Sequence, residues 1–456
     1  MLQVSAMRWL VVLCALTRWV FADSMLEDFA GDASLKTASV GVAVIPLEGD
    51  EGALEWQADT ALIPASTMKA ITTATVLGVL GTEWVFETRL FLKGDDLIIK
   101  GGGDPTLGAT GVDSDFGGWL EALKAEGISE IKGRVIADAS RFESQTTPND
   151  WPWGDVGNYY GAGPSGLNFH LNAFDLTFRP AGVGKRAELI STDPKPPGVE
   201  FENHMLTGPA GSGDQGYAYG GPGARMISLR GTVPAGGNFT IKGALPDPPM
   251  FCALSFKDYL VKNGIPVAGE VAAERVNIDD AQLLHTQKSP PLTKIITATN
   301  HRSVNLYADS MFKALSPEGT TAASSTVLRK HWEDRGVDLT GFVFYDGSGL
   351  SPRNTVTARQ MAMILKKARD HETGEVFYKS LPVAGESGTL SDFGGGTAIA
   401  GKVHAKSGGM TRVRTYAGYL TAQSGKEFSF AVFTNNSIAN PKKAIVELLV
   451  KIVKSR

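Results

Sequence analysis

Ser66 and Lys69 stand three residues apart, in the segment Ser66-Thr67-Met68-Lys69, at the start of a helical apolar pattern that Gly81 ends. On a helix such a pair shares one face, which places the amine beside the hydroxyl. The backbone N–H groups and the dipole at a helix start favour an oxyanion. The uncharged apolar helix is expected to desolvate Lys69, and desolvation lowers a lysine pKa so that the amine acts as a base near neutral pH. The pattern therefore indicates acyl transfer with Ser66 as nucleophile and Lys69 as base.

The Ser-x-x-Lys spacing is weak evidence by itself, because it recurs at residues 129–132 and 310–313, which we interpret as solvated or packing residues. Two other triplets set Ser66 apart. Ser303-Val304-Asn305 is the only Ser-x-Asn sequence in the chain, and Lys406-Ser407-Gly408 is the only Lys-Ser/Thr-Gly sequence. The lysine triplet also enters a predicted C-terminal hairpin, which a last helix follows. In this order the three elements resemble the signature of penicillin-binding proteins and class A β-lactamases.

Over nearly its full length the chain resembles the class C low-molecular-mass penicillin-binding proteins, a family of D-Ala-D-Ala carboxypeptidases and endopeptidases. That family carries two extra domains between the nucleophile helix and the Ser-x-Asn element, and here the gap is 303 − 66 = 237 residues. Three more phrases resemble the family: Gly101-Gly102-Gly103-Asp104-Pro105-Thr106-Leu107, Trp151-Pro152-Trp153-Gly154-Asp155 and Asp346-Gly347-Ser348-Gly349-Leu350-Ser351. The resemblance implies hydrolysis of D-Ala-D-Ala ends and D-alanyl cross-links of peptidoglycan stem peptides. It also implies β-lactams as acylating inhibitors, and no cofactor.

The resemblance further implies a role for each catalytic residue. Ser66 attacks the carbonyl of the penultimate D-Ala, with Lys69 as general base. Ser303 relays the proton to the leaving amine, and Asn305 holds a substrate amide. Lys406 and Ser407 bind the terminal carboxylate of the substrate or the carboxylate of a β-lactam. The backbone N–H groups of Ser66 and Gly409 form the oxyanion hole.

A second group of residues is implied to recognise the free amino-acid end of the stem peptide. The matching positions are Asp155 and Tyr160 in the insert and Arg353 after the Gly-Leu-Ser phrase. Met410 and Thr411 stand beside the lysine triplet, and Gly408 completes the substrate-binding set. Pro352 departs from the family pattern, because it occupies the place where an arginine often follows the serine. Plain surface and packing roles stay open for Asp155 and Tyr160.

These residues require a scaffold of strands and helices. The apolar pattern predicts a strand over 40–45, a helix over 302–315 and two adjacent strands over 415–421 and 428–434. Asn440 and Pro441 are expected to cap a final helix, which either covers the sheet or binds a membrane surface. We predict an α/β (α+β) penicillin-binding/β-lactamase-like transpeptidase domain, with an antiparallel sheet flanked by helices, over 23–85 and 283–456. Short alternating segments between turns predict mainly β inserts: domain II over 86–167 and 248–282, and a nested domain III over 168–247.

The N-terminal sequence predicts where the protein is located, and the composition argues against some classes of partner. Arg8, the apolar stretch 9–16 and Val20-Phe21-Ala22 have the order of a secretory signal peptide over residues 1–22. Its removal leaves a formal charge of −4 − 2 = −6 and one cysteine, Cys252, so no internal disulfide is expected. The histidines lack metal-ligand spacing, and no basic run indicates a nucleic-acid partner. We expect an exported, periplasmic protein without a transmembrane anchor, and the oligomeric state stays open.

Two other functions stay open. A serine β-lactamase needs a deacylating base, and no Glu-x-x-Leu-Asn phrase lies between Ser303 and Lys406. A penicillin- or muropeptide-binding protein without turnover is expected to carry an anchor or a signalling domain. The segment 396–403 nearly matches a phosphate-binding loop but lacks its final Ser or Thr, so we interpret it as a glycine-rich hairpin that leads into the Lys406 strand.

Overall fold

A five-stranded antiparallel sheet supports the predicted site. The computed structural model describes residues 24–49 and 52–456, and the predicted signal peptide lies outside the described residues. Across the sheet the strand order is β17, β18, β19, β1 and β2. The strands are β1 (Ser39–Pro46), β2 (Leu54–Trp56), β17 (Val403–Met410), β18 (Val413–Thr421) and β19 (Glu427–Asn435). Because β1 pairs along its whole length with the central strand β19, the sheet joins the two ends of the chain.

Both faces of this sheet are buried, since alternate side chains of β18 turn towards two helical layers. Ala417 and Tyr419 pack with α2 (Met68–Leu80) and α9 (Ala358–Arg369). Tyr416 and Leu420 pack with α1 (residues 24–30) and α11 (Lys442–Ser455). The predicted antiparallel sheet with helices on both sides is therefore confirmed.

The final helix α11 covers the sheet. Its apolar residues are buried: Ile445, Leu448, Leu449 and Ile452. This packing favours the sheet-covering interpretation over the membrane-surface one. Within residues 24–49 and 52–456, no helix combines the length and the apolar composition that crossing a bilayer requires.

Helix α2 is the centre of the helical layer that holds the predicted site. Its residues from Met68 to Leu77 are all buried, Lys69 among them, as expected for a helix enclosed by other elements. The helices around it are α6 (Leu292–Arg302), α7 (Asn305–Ala314), α8 (Thr321–Glu333), α9 and α10 (Gly374–Lys379). A short strand pair, β3 (Ala61–Leu62) with β16 (Val356–Thr357), fixes the segment before Ser66 to the start of α9.

The chain between α2 and α6 forms three further sheets. The largest has the strand order β14, β6, β5, β4 and β15, with parallel pairing from β14 to β5 and antiparallel pairing from β5 to β15. These strands are β4 (Glu87–Lys93), β5 (Asp96–Lys100), β6 (Val135–Asp138), β14 (Val271–Ala273) and β15 (Gln282–Lys288). Helices α3 (Phe116–Ala125) and α5 (Pro248–Lys262) pack on this sheet. Since β15 extends to Lys288, the chain beyond residue 282 still pairs with this sheet, and the domain boundaries stay predictions.

Two small sheets lie within residues 173–244. One contains β7 (Ala173–Arg179), β8 (Glu188–Asp193) and β13 (Phe239–Ala244). The other contains β9 (Glu200–Asn203), β10 (Leu206–Gly208), β11 (Gln215–Tyr219) and β12 (Met226–Pro234). The one-turn helix α4 (Trp153–Val156) lies against β11 and precedes the tight turn Tyr159–Gly161.

Two local predictions are wrong. The helix predicted over 302–315 is broken at Ser303, which adopts the left-handed conformation with φ 58° and ψ 39° between α6 and α7. Apolar periodicity does not report a break of a single residue. The hairpin predicted over 396–403 is a series of turns.

Candidate active site

Ser66 lies in the tight turn Ala65–Thr67, which runs directly into α2. The Thr67 hydroxyl donates to the carbonyl of Pro64 at 2.6 Å and thereby fixes the turn. Ser66 keeps partial exposure although Thr67 and Met68 are buried. Its hydroxyl is therefore accessible at the N-terminal end of a buried helix, where the helix dipole favours developing negative charge.

Lys69 is wholly buried one turn further along α2. Its Nζ donates to Ser66 Oγ at 3.0 Å, to Asn305 Oδ1 at 2.6 Å and to the carbonyl of Ser348 at 2.6 Å. Burial lowers the pKa of Lys69 to about 8, against the opposing effect of the carboxylates of Asp309 and Asp346. The arrangement holds an amine against the serine hydroxyl and brings its pKa close to the range in which it can accept a proton.

The Ser303 and Asn305 pair lies where α6 meets α7. The Asn305 side chain is held at both ends, because Oδ1 accepts from Lys69 and Nδ2 donates to the carbonyl of Tyr160 at 2.6 Å. Ser303 occupies the left-handed position before α7, a strained conformation for a residue with a side chain. The structure thus brings Asn305 to Lys69, as the motif predicts, and the proton-relay role of Ser303 stays a prediction.

Lys406 lies on the edge strand β17, beside the turn of Ser66. It is wholly buried, and its Nζ donates to the carbonyl of Ser407 at 2.8 Å. Burial lowers its pKa well below 10.5, and the positive charge of Lys69 acts in the same direction. The Ser407 hydroxyl forms a hydrogen bond with the hydroxyl of Thr389 at 2.8 Å. A carboxylate bound here would restore the charged form of Lys406 by supplying the opposite charge.

Gly408 allows β17 to reach the Ser66 turn. A Cβ at this position would lie 2.2 Å from Thr415 Oγ1, 2.8 Å from the carbonyl oxygen of Pro64 and 2.9 Å from the backbone nitrogen of Ser66. The next residue, Gly409, is exposed at the end of the strand. The backbone of β17 therefore passes directly beside the N–H of Ser66, as an oxyanion hole built from these two segments requires.

The loop from Asp346 to Ser351 supports Lys69. None of its residues was assigned a role from the sequence. Asp346 is buried and accepts from Trp151 Nε1 at 2.8 Å, from the N–H of Gly349 at 2.7 Å and from the N–H of Ser351 at 2.6 Å. The loop in turn presents the Ser348 carbonyl to Lys69. The resemblance of residues 346–351 to a family phrase was the sequence signal that could have identified this loop. Asp309 could have been identified from its position one helical turn after Asn305.

The predicted recognition residues are only partly brought together. The Tyr160 hydroxyl donates to Asp155 Oδ1 at 3.2 Å, and the backbone of Tyr160 contacts Asn305. Burial raises the pKa of Asp155 and, with the charge of Asp155, that of Tyr160. Arg353 is exposed, with its guanidinium 5.1 Å from the ring centre of Tyr345, and Thr411 lies in the exposed turn after β17. The roles of these four residues stay predictions.

No cluster of three or more His, Cys, Asp or Glu side chains that could hold a metal ion occurs in the part of the chain that the structure describes. Cys252 is fully buried on α5, and burial raises the pKa of its thiol. It is therefore a core residue.

Comparison with known proteins gives one consistent result. The model of the D-Ala-D-Ala carboxypeptidase 3 (S13) family matches residues 22–454. The D-alanyl-D-alanine carboxypeptidase of an Actinomadura species is 31% identical over 451 residues, covering 93% of this chain and 82% of the relative. The D-alanyl-D-alanine carboxypeptidase DacB of Haemophilus influenzae is 26% identical, covering 87% of this chain and 85% of the relative.

The fold has a solved counterpart. The crystal structure of penicillin binding protein 4 from Haemophilus influenzae superposes with a TM-score of 0.82 at 22% identity, covering 94% of this chain and 99% of that one. Together these matches confirm the family and the fold class that the motifs predict.

Proposed function

The chain belongs to the D-Ala-D-Ala carboxypeptidase 3 (S13) family, and we propose that it performs this reaction through an acyl-enzyme on Ser66. The carboxypeptidase activity itself follows from the family and its curated relatives. The proposal adds the nucleophile, the base, the residues that bind substrate, and cleavage of D-alanyl cross-links. It also adds acylation by penicillin, and export to the periplasm directed by residues 1–22 as a cleaved signal peptide.

The contact between Lys69 Nζ and Ser66 Oγ at 3.0 Å carries this proposal. Because burial lowers the pKa of Lys69 to about 8, the neutral amine is far more populated near pH 7 than in an unperturbed lysine. The neutral amine takes the Ser66 proton as the serine oxygen attacks the carbonyl carbon of the penultimate D-Ala. Asn305 and the Ser348 carbonyl fix the amine in this position.

The edge of the sheet supplies the substrate groove. β17 pairs with β18 on one side, and its other edge lies beside Ser66. An extended peptide can bind such an edge by main-chain hydrogen bonds. In that position the N–H groups of Ser66 and Gly409 hold the oxyanion, and Lys406 with Ser407 holds the terminal carboxylate. Ser303 then passes the proton to the leaving D-Ala amine, and water resolves the acyl-enzyme.

The insert supplies the rest of the substrate contact. The carbonyl of Tyr160 already positions Asn305, so the insert and the nucleophile helix share one site. We assign Asp155 and Tyr160 to binding of the free amino-acid end of the stem peptide. Arg353 and Thr411 are assigned to contacts beside that end. With these contacts, Ser66 is proposed to cleave the D-alanyl cross-links between stem peptides as well as their D-Ala-D-Ala ends.

The test uses the chain that lacks residues 1–22. This protein is incubated with penicillin, and its acylation is followed over hours by intact mass. We expect a one-to-one adduct that persists for minutes or longer and is absent from Ser66→Ala. Ser129→Ala is the matched control, because exposed Ser129 has the same Ser-x-x-Lys spacing and should leave acylation unchanged. Rapid loss of penicillin without a lasting adduct would favour a β-lactamase, and no reaction at all would refute the Ser66 assignment.

A further inference from the structure

Exposed aromatic side chains gather in one region of the described chain, residues 24–49 and 52–456. They are Trp153, Tyr159 and Tyr217, with 62%, 52% and 38% of their surface exposed. Trp153 lies on α4, Tyr159 in the turn that follows α4, and Tyr217 on β11. Because every other aromatic side chain in this part of the chain is buried or half-buried, the three exposed rings indicate a binding surface.

The elements that carry these rings pack into a single surface, and we call the three exposed rings together the aromatic surface. Helix α4 lies against β11, where a Cβ on Gly154 would lie 4.0 Å from Cε1 of Tyr219. The ring centres of Tyr217 and Tyr219 are 6.2 Å apart. The ring of Tyr159 meets that of Tyr160 edge to face, with the centres 5.4 Å apart. The rings of α4, the turn and β11 therefore form neighbouring parts of one face of the insert.

Polar side chains accompany the rings on this face. Because side chains alternate along β11, Tyr217 and Tyr219 both point away from the core. Opposite Tyr217 on β12 lies exposed Arg230, whose Nε donates to Ser228 Oγ at 3.1 Å. Asp214 is exposed directly before β11. Rings with hydroxyl, carboxylate and guanidinium groups beside them suit a carbohydrate, because the C–H faces of a sugar pack on rings and its hydroxyls need donors and acceptors.

The aromatic surface adjoins the site of Ser66. The carbonyl of Tyr160 accepts from Nδ2 of Asn305 at 2.6 Å, and Asn305 in turn holds Lys69. Tyr159 directly precedes Tyr160, so the surface begins one residue beyond this contact. In peptidoglycan the stem peptide is joined at its other end to a strand of N-acetylated amino sugars. Five extended residues span roughly 17 Å, so a strand whose stem peptide reaches Ser66 lies within about that distance of it.

We propose that the aromatic surface binds the glycan strand of peptidoglycan while a stem peptide of that strand enters the site of Ser66. The inference rests on the proposed function, because it takes the glycan-borne stem peptide as the substrate. A bound strand raises the local concentration of stem peptides at Ser66. Met226 is the only exposed aliphatic side chain on β11 and β12, which argues against a protein partner, since a protein interface has a wider apolar centre.

The test compares two substrates that differ only in the sugar. One is a free pentapeptide that ends in D-Ala-D-Ala, and the other is the same peptide attached to its glycan strand. In the double variant Trp153→Ala, Tyr217→Ala, the ratio of kcat/KM for the attached substrate to that for the free one should fall about tenfold, through KM. Because both side chains are exposed, their truncation should cost little stability.

Met226→Ala is the matched control. Met226 is 52% exposed on the neighbouring strand but has no ring on which a sugar can stack, so the ratio should stay unchanged. An unchanged ratio in the double variant, an equal loss for both substrates, or the same fall in Met226→Ala would overturn the proposal. If the wild type cleaved neither substrate, the proposed function would be overturned instead.

Direct binding separates these two failures, because it needs no cleavage. Peptide-free glycan strands are added to the wild type and to Ser66→Ala, and tryptophan emission is followed together with co-sedimentation. We expect both proteins to be retained on the strands. The accompanying change in emission should be absent from Trp153→Phe, which keeps a ring but lacks the indole. A wild type that neither changes its emission nor sediments with the strands would refute a glycan-binding surface.

Discussion

Replacement of Gly408 by alanine should separate the nucleophile from the strand that binds substrate. The added Cβ would meet Thr415 Oγ1 at 2.2 Å, the Pro64 carbonyl oxygen at 2.8 Å and the Ser66 nitrogen at 2.9 Å. The Thr415 hydroxyl can rotate away, but it then loses its buried hydrogen bond to Pro64. The other two contacts are backbone atoms, so β17 or the Ser66 turn must move by about half an ångström to restore ordinary contact distances.

This displacement acts on the geometry of the reaction more than on the fold. Overpacking of this kind costs about 1–3 kcal/mol of the free energy of unfolding. Misplacing one oxyanion donor relative to the nucleophile should lower the acylation rate by roughly 10²-fold. The measurement is the second-order rate constant for penicillin acylation, with denaturant unfolding measured in parallel.

Gly409→Ala is the neighbouring control. Its Cβ would meet only the guanidinium end of Arg414, which is the far end of a flexible side chain, and the backbone N–H at 409 is kept. We expect a rate within a few-fold of the wild type for this variant. If Gly408→Ala were acylated as fast as Gly409→Ala, the close approach of β17 to Ser66 would not matter for catalysis, and the reasoning would be refuted.

Four further outcomes are expected. Asn305→Ala removes an acceptor of Lys69 and should lower kcat/KM for a D-Ala-D-Ala peptide by roughly 10²-fold, whereas unchanged kinetics would exclude Asn305 from the site. Acylation should fall about tenfold per pH unit below the Lys69 pKa of about 8, because only the neutral amine accepts a proton; a stopped-flow pH series that is flat from pH 6 to 8 would argue against Lys69 as base. In the chain lacking residues 1–22, the buried thiol of Cys252 should react with thiol reagents only after unfolding, and labelling of the native protein at the unfolded rate would contradict its burial. Trp332→Phe breaks the 2.9 Å hydrogen bond to Thr75 and should cost about 1–3 kcal/mol in urea unfolding, with no change in the pH profile of acylation.

The catalytic motifs could be found in the sequence because their spacing is local. Ser66 and Lys69 meet on a single helical turn, and this relation holds wherever the helix lies in the fold. The three motifs in their chain order were enough to predict the family and an antiparallel sheet flanked by helices, both of which are confirmed. The break at Ser303 was missed, since a left-handed residue between two helices depends on what the adjoining helices pack against.

The hydrogen bonds that complete the active site join segments that are far apart in the chain. Asn305 is held by a carbonyl 145 residues away, Lys69 by one 279 residues away, and Thr415 by one 351 residues away. Such contacts follow from packing of the insert and the 346–351 loop against α2 and α7, and no periodicity encodes them. The sequence by itself determined which groups could react, because helical spacing places a hydroxyl beside an amine. Only the tertiary structure decided how far the pKa of that amine falls, because packing brings to it the charges of Asp309 and Asp346, which oppose the effect of burial.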